Sequence, residues 1–174
     1  MTVLETDRLI LRRFTAAPEE SEFALRLLNE PSYLENIGDK GVRTPEQAAK
    51  YLIDGPIKSY ELHGHGLYLV VLKETQQLVG ISGLLRRDQF KDPDLGYAFL
   101  PEFWSRGYAF ECASAVRDYG QRTLGFSKIV AFVNPTNAPS IKLLKKLGFS
   151  FAETVKMEPG GAVADMYELL GQSC

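Results

Sequence analysis

A glycine turn between an extended segment and a helical segment constrains this 174-residue chain most strongly. The apolar run 95–100 stops at Pro101 and predicts a strand. Beyond the turn, apolar residues at helical spacing predict a helix that begins near Gly107 and ends at Gly120. The first turn of a helix carries free N–H groups and the positive end of the helix dipole. Glycine there lets a ligand approach the backbone closely, so the sequence predicts a phosphate site.

Composition narrows the function classes. A net charge of −2 and a pI of about 5.8 give no basic excess of the kind that nucleic acid binding requires. No apolar run approaches the roughly 20 residues of a membrane span, and the charged start lacks the core of a signal peptide. Cys112 and Cys174 offer neither a disulfide framework nor a metal spacing. We therefore expect a cytoplasmic protein with no metal, no membrane and no nucleic acid partner, and with Cys112 buried.

The element order predicted for the chain is β-α-α-β-β-β-α-β-α-β-β, in one domain spanning residues 1–174. The predicted strands are 9–14, 67–72, 78–85, 94–100, 127–134, 149–152 and 165–170. The predicted helices are 18–29, 44–52 (with a further turn at 57–62), 109–120 and 137–147. Residues 31–43 are expected to be a loop or a broken helix, and residues 158–161 a turn. The strand-helix-strand unit predicts a parallel crossover and the hairpins predict antiparallel pairing, so the sheet is mixed.

Four segments of the chain resemble the GNAT acyltransferase family. Its signature Gln/Arg-x-x-Gly-x-Gly/Ala is matched by Gly107 and Ala109, with Trp104 at the first position. Tryptophan there is usual in the branch resembling the RimJ/RimL ribosomal-protein N-terminal acetyltransferases. That branch reads roughly Tyr/Phe-Trp-Gly-x-Gly-Tyr-Ala-x-Glu, and residues 103–111 depart from it only at Ser105. Segments 5–12, 137–140 and 146–149 follow in family order, so the resemblance covers residues 5 to about 150.

The resemblance implies a GNAT-like α/β (α+β) fold, a mostly antiparallel twisted sheet with a central parallel crossover and helices on both faces. It implies acetyl-CoA as acyl donor and a primary amine, on a small molecule or a protein N-terminus, as acceptor. Pantetheine is then expected between the splayed strands 94–100 and 128–134, against the backbone of Phe99 and Leu100. The CoA pyrophosphate is expected on the N–H groups of Ser105, Arg106, Gly107, Tyr108, Ala109 and Phe110. The Arg106 side chain is predicted either to add a charge-assisted contact or to be solvated.

Acetyl transfer to an amine requires removal of a proton, stabilisation of the developing oxyanion and a donor for the leaving thiolate. It requires neither a metal nor a covalent intermediate on the enzyme. Asp94 is the candidate base, acting through water, with a solvated acid beside Pro93 as the alternative. Ser140 is the candidate donor and Asn137 its neighbour in the Asn-x-x-Ser motif, with helix capping as the alternative for both. Asn134 either contacts CoA or begins a turn.

Other polar and aromatic residues carry weaker hypotheses. His63 and His65 lie in a glycine-rich loop and are expected to have a loop role rather than act as bases. Three tyrosines either line a substrate pocket or belong to the core: Tyr33, Tyr68 and Tyr97. Three lysines are expected to be solvated, with contact to the CoA 3′-phosphate as the alternative: Lys142, Lys145 and Lys146. Residues 15–66 are expected to form the acceptor side.

Two further classes of function are compatible with the amino-acid sequence. A non-catalytic acyl-CoA-binding or sensor module would need the same turn, because the turn concerns only cofactor binding. A different nucleotide-binding βα protein would also place a glycine after a strand, but the chain has neither Gly-x-Gly-x-x-Gly nor a Walker lysine. The sequence does not distinguish a monomer from a homodimer.

Overall fold

An eight-stranded sheet organises the protein, a computed structural model of which describes residues 1–158 and 161–171. The strands are β1 (Thr2–Glu5), β2 (Leu9–Arg12), β3 (Leu67–Leu72), β4 (Leu78–Leu85), β5 (Asp94–Phe99), β6 (Lys128–Val133), β7 (Ser150–Lys156) and β8 (Val163–Leu170). Their order across the sheet is β1-β2-β3-β4-β5-β6-β8-β7. Every neighbouring pair is antiparallel except β5 and β6. The mixed sheet with one parallel crossover is therefore confirmed.

Six α-helices accompany the sheet in the described part of the chain. They are α1 (Pro18–Leu28), α2 (Pro31–Asn36), α3 (Pro45–Leu52), α4 (Lys58–His63), α5 (Tyr108–Arg122) and α6 (Ala138–Lys146). The predicted start of α3 is confirmed, because the Thr44 hydroxyl caps the Gln47 N–H at 3.2 Å. None of the helices among the described residues combines the length and the apolarity that crossing a membrane requires.

The two faces of the sheet have separate hydrophobic cores. On one face, β-strand side chains such as Val70 and Leu95 pack with α5 and α6 through Val116 and Leu144. On the other face, side chains that include Leu69 and Ile81 pack with α1 and α3. We call these the α5–α6 face and the α1–α3 face. Strand β3 is buried on both sides, as its continuous apolar run predicts.

The structure differs from the predicted element order in its first third. Strand β1 was not predicted, because four half-exposed residues at a sheet edge carry no clear alternation. Residues 31–36 of the predicted loop or broken helix form the short helix α2, which begins at a proline. Helices α3 and α4 join through a π-helix, Ile53–Ile57, which accommodates Pro56 without ending the helical path. The turn predicted at residues 158–161 lies partly outside the described residues, and Cys174 lies wholly outside them.

Candidate active site

Strands β5 and β6 separate and leave an opening in the sheet. Strand β5 pairs with β4 at all six positions of Asp94–Phe99, but it meets β6 only where Asp94 faces Val130. The Val130 N–H donates to the Pro93 carbonyl at 2.9 Å at this vertex. Beyond Asp94 the two strands diverge, and β6 continues in full register with β8. A cleft of about 820 Å³ passes through the opening.

The alternation of side chains along β5 assigns its residues to the two faces. Leu95 and Phe99 belong to the core on the α5–α6 face, and Tyr97 packs against that core. Ala98 packs against the core on the α1–α3 face, so Asp94 and Gly96 point to that side as well. Side chains from the two faces therefore meet at one opening.

The backbone of β5 also presents hydrogen-bonding groups to the gap. Because the Pro93 carbonyl points to β6, alternation directs the N–H and C=O groups of Leu95, Tyr97 and Phe99 into the gap. Leu100 has the opposite direction, since its N–H donates to Val79 of β4 at 3.0 Å. Of the two predicted backbone contacts, Phe99 thus lies on the gap edge and the Leu100 N–H is engaged elsewhere. Leu95 and Tyr97 also lie on this edge, and the sequence did not predict them as backbone contacts.

The turn into α5 has the features of an anion site. Gly107 adopts φ +81° as the residue before the helix, a conformation that favours glycine. The first N–H bonded back into the helix is that of Glu111, which donates to the Gly107 carbonyl at 3.0 Å. In residues 1–158 and 161–171, no acceptor takes the backbone N–H groups of residues 105–110. These groups, at a helix N-terminus, fit a pyrophosphate.

An ion-pair cluster fixes this turn against the N-terminal strands. The Glu111 carboxylate accepts from the Thr6 hydroxyl at 2.6 Å, the Arg8 N–H at 2.9 Å and the Arg8 Nε at 2.7 Å. Arg8 also donates to the Arg106 carbonyl at 2.9 Å, and its guanidinium lies 4.4 Å from the Tyr108 ring centre. Burial raises the pKa of Glu111, but these hydrogen bonds and the Arg8 charge outweigh it and hold the pKa below its usual range. Two motifs far apart in the sequence therefore form one clamp.

Tryptophan at the first motif position has a structural reason. The Trp104 Nε1 donates to the Phe99 carbonyl at 2.9 Å and ties the turn to the end of β5. The Arg106 guanidinium lies over the Phe103 ring at 5.9 Å, and its side chain does not line the cleft. Lys146 lies over the Phe110 ring at 4.0 Å.

Asp94 occupies the vertex of the gap. It is only 3% exposed, so the alternative of a solvated acid is wrong. Its carboxylate pairs with the Arg87 Nε at 2.7 Å. Burial raises the pKa of Asp94 to about 6, although the Arg87 guanidinium and the Phe132 N–H act in the opposite direction. A carboxyl with this pKa is ionised at neutral pH and accepts a proton far more readily than an ordinary aspartate.

Ser140 faces Tyr97 across the gap. The two hydroxyl oxygens lie 2.7 Å apart, and the Asn137 side chain caps α6 by accepting from the Ser140 N–H at 3.3 Å. The predicted capping role of Asn137 is therefore confirmed. Burial raises the pKa of Tyr97 to about 12, while its bond to Ser140 lowers it, so the phenol is neutral at neutral pH. Ser140 and Tyr97 lie on the α5–α6 face, opposite Asp94.

Helix α2 reaches the far end of the gap. Asn134, at the end of β6, donates to the Glu35 carbonyl at 3.3 Å, and its Oδ1 accepts from the Thr136 N–H at 3.1 Å. The predicted turn at Asn134 is thus present. One wall of the cleft contains Tyr33 of α2, Lys40 of the following loop and Tyr51 of α3.

Several other candidates lie away from the cleft. His65 is buried, with its Nδ1 2.7 Å from the Leu84 carbonyl, and burial lowers its pKa. Tyr68 stacks on Tyr60 in the core. Burial raises the pKa of Cys112 to about 12, as a buried structural thiol requires. Over the described ranges, no three His, Cys, Asp or Glu side chains converge as a metal site.

Sequence reasoning missed three interactions at this site. Arg87 lies in a charged connection and carries no motif, yet it pairs with Asp94. Tyr97 was considered only as a pocket or core residue, and its bond to Ser140 spans 43 positions. The link between Arg8 and Glu111 spans 103 positions, although both residues belong to segments that the resemblance had identified.

The splayed strands and the backbone turn agree with the CoA-dependent acyltransferase site that the sequence resemblance implies. A family model described as an acetyltransferase (GNAT) domain matches residues 8–150. The chain belongs to the GNAT acetyltransferase family and is an acetyltransferase. The family uses acetyl-CoA as acyl donor.

Known relatives agree with this assignment. YoaA of Bacillus subtilis (strain 168), an uncharacterized N-acetyltransferase, is 33% identical over 148 residues, or 84% of this chain and 82% of YoaA. The N-acetyltransferase p20 of Bacillus licheniformis is 29% identical over 151 residues, covering 86% and 83% of the two chains. An acetyltransferase structure from Agrobacterium tumefaciens str. C58 has a TM-score of 0.77 at 24% identity and 97% and 94% coverage. RimL, a ribosomal L7/L12 alpha-N-protein acetyltransferase in complex with coenzyme A, has a TM-score of 0.81 at 16% identity and 98% coverage of both chains. These two likenesses concern the fold.

Proposed function

We propose that this protein transfers an acetyl group from acetyl-CoA directly to a primary amine that enters from the α1–α3 face. The observation that carries the proposal is the placement of Asp94 and Ser140 on opposite faces of one opening. Residues 108–110 of the turn pack against the core of the α5–α6 face, where Ser140 lies, and Tyr33 and Tyr51 pack in the core of the α1–α3 face, where Asp94 lies. Donor and acceptor can therefore approach the same point from two sides.

The chain's own groups have distinct roles in holding the donor. The N–H groups of residues 105–110 bind the pyrophosphate, and the gap-facing backbone of Leu95 and Tyr97 and the Phe99 N–H bind the pantetheine arm as an added strand would. Bound acetyl-CoA supplies an activated thioester carbonyl. A gap-facing N–H of β5 stabilises the negative charge that develops on the acyl oxygen.

The proton transfers follow from the positions of Asp94 and Ser140 on the two faces of the opening. Asp94 accepts, through water, the proton that the acceptor nitrogen must lose. The nitrogen then forms the new C–N bond while the C–S bond breaks and the electron pair leaves on sulfur, and the second proton of the nitrogen passes to water. Ser140 donates a proton to that sulfur and takes one from Tyr97 through their 2.7 Å bond, and Tyr97 regains its proton from water, so one proton is released per turnover. Asn137 positions Ser140 through the helix cap, and no atom of the enzyme becomes acylated.

The class of acceptor is part of the same proposal. Both a small amine and a protein N-terminus are candidates, the latter because RimL is a ribosomal L7/L12 alpha-N-protein acetyltransferase of similar fold. The alternative function is a non-catalytic acyl-CoA-binding module, which would retain the turn but have no use for the buried Asp94.

Two experiments test the proposal. Calorimetry with acetyl-CoA, ATP and NAD should give binding of acetyl-CoA only, and a preference for ATP or NAD would overturn the cofactor assignment. Release of free CoA thiol is then measured with small amines and with peptides bearing free N-termini. Amine-dependent thiol release is the expected result. Binding of acetyl-CoA with no turnover by any amine would favour the non-catalytic alternative.

A further inference from the structure

The acceptor side of the cleft contains a cluster of polar side chains that the transfer chemistry does not use in full. Tyr33, Lys40, Tyr51 and Arg87 come from four separate segments and line the same wall. We call these four residues the acceptor cluster. Apolar residues complete the wall around them: Leu27, Ile37, Leu85 and Phe132. The four polar side chains of the cluster thus lie next to apolar side chains on one wall, an arrangement typical of a specificity site.

The charges of the acceptor cluster are unbalanced. Arg87 pairs with Asp94, whereas Lys40 makes no ion pair within 4 Å in the described residues. Burial lowers the pKa of Lys40, the positive charge of Arg87 lowers it further, and Glu158 opposes the shift. Glu35 also lines the cleft, and its backbone carbonyl is bound by Asn134. Lys40, whose side chain is exposed, is a second cation near Arg87, and an anion in the cleft stabilises it.

The two phenols supply neutral donors next to these cations. Tyr33 is 5% exposed, and burial raises the pKa of both Tyr33 and Tyr51. Each phenol therefore keeps its proton at neutral pH and can donate a hydrogen bond. The positive charge of Arg87 acts on both phenols and on Lys40, so the other three members of the cluster lie within electrostatic reach of Arg87.

We propose that the acceptor cluster binds an oxyanion on the acceptor, so that the preferred substrates are amines that also carry a carboxylate or a phosphate. This inference rests on the proposed function, because it places the amine at Asp94. The ammonium of Lys40 and the hydroxyls of Tyr33 and Tyr51 hold the oxyanion. The apolar wall holds the carbon atoms between the oxyanion and the amine.

The test compares matched amine pairs that differ only in charge. Calorimetric titrations into the CoA-saturated protein use L-phenylalanine and its amide, γ-aminobutyrate and its amide, phosphoethanolamine and ethanolamine, and short peptides with Glu or Gln at the second position. Hydrogen bonds to charged groups contribute enough for an expected preference of about tenfold or more for the anionic member. The phosphate pair and the carboxylate pairs separate the two sources of oxyanion.

Variants assign the preference to the acceptor cluster. We expect Lys40→Met to reduce the preference to about twofold and Tyr51→Phe to reduce it several-fold, both through the Kd of the anionic member. Lys58→Met is the matched control, because Lys58 is an exposed lysine of α4 that does not line the cleft. Equal affinity for both members of every pair, or a preference that survives Lys40→Met unchanged, would overturn the inference.

The outcomes also distinguish this inference from the proposed function. Anion-selective binding without thiol release for any pair would retain the inference about the ligand and overturn the enzymatic proposal. Thiol release with equal kcat/KM for charged and neutral members would retain the enzymatic proposal and overturn the inference. Folding of each variant is checked by its thermal unfolding curve.

Discussion

The two faces of the opening between β5 and β6 present different chemical groups. On the α5–α6 face the site consists mainly of backbone, namely the N–H groups of residues 105–110 and the free edge of β5. On the α1–α3 face it consists of side chains, with Asp94 and Arg87 at the vertex and the acceptor cluster beyond them. A backbone site recognises what every CoA molecule shares, whereas a side-chain site can differ from one family member to another. Under the proposed function, donor binding belongs to the α5–α6 face, and acceptor choice and proton removal belong to the α1–α3 face.

The largest effect is expected from a substitution that disrupts donor binding on the α5–α6 face alone. Gly107→Glu places a side chain at a position with φ +81° and a negative charge at the proposed pyrophosphate site. We expect the Kd for acetyl-CoA, measured by calorimetry, to rise at least about 100-fold. Gly125→Glu is the matched control, since Gly125 also has a positive φ, +74°, but lies in open space. Unchanged affinity in Gly107→Glu would exclude this turn as the pyrophosphate site.

The next largest effect is expected from a substitution that disrupts proton removal on the α1–α3 face alone. Asp94→Asn removes the proton acceptor, so kcat should fall about 100-fold or more while the Kd for acetyl-CoA stays within about twofold. Thiol release and calorimetry measure the two quantities separately. Asp88→Asn, at an exposed acid in the connection that precedes β5, should leave both unchanged. A parallel loss of acetyl-CoA affinity in Asp94→Asn would show that the two faces are not independent.

A smaller effect concerns the hydroxyl pair on the donor face. Ser140→Ala should lower kcat about tenfold and Tyr97→Phe less than that, because only the former removes the group next to the leaving thiolate. The double variant should be no slower than Ser140→Ala, since the two residues act through one 2.7 Å hydrogen bond. Additive losses would mean that Tyr97 acts independently of Ser140. The KM for acetyl-CoA serves as the readout that a purely structural role would move.

The smallest effect concerns the clamp behind the turn. Glu111→Gln weakens the charged bonds to Arg8 and should lower the free energy of unfolding by about 1 kcal/mol. We also expect the Kd for acetyl-CoA to rise about threefold, because the clamp holds the Arg106 carbonyl and thereby the turn. Glu22→Gln, on the exposed side of α1, is the control. Loss of stability with unchanged affinity would confine Glu111 to a structural role.

The difference between the faces also explains what the sequence predicted. The turn, its helix and its two flanking strands are encoded in contiguous segments, so periodicity and one motif predicted the elements of residues 94–134, whereas the separation of the strands was implied by the family resemblance. The capping role of Asn137 was likewise local. The partners of Asp94, Ser140 and Glu111 were not predictable, since they lie 7, 43 and up to 105 positions away and are brought together only by the sheet.

The first third of the chain resisted prediction for a related reason. Strand β1 and helix α2 are short, and their positions depend on partners in the sheet and the cleft rather than on their own periodicity. This region contributes Tyr33, Lys40 and Tyr51 to the acceptor cluster, and no sequence motif marks them. The cluster is evident only from the residues that line the cleft in the structure.

The most direct test of the two-face account is the pH profile of kcat/KM for the amine, measured by thiol release at saturating acetyl-CoA. Burial raises the pKa of Asp94 to about 6, and below that pH the carboxyl is protonated and cannot accept another proton. In the wild-type protein the logarithmic profile should therefore bend near pH 6 and steepen by one unit of slope below it. In Asp94→Asn the profile should pass through the same range without a bend. A bend that persists in Asp94→Asn, or is absent from the wild-type protein, would contradict the assignment of proton removal to the α1–α3 face.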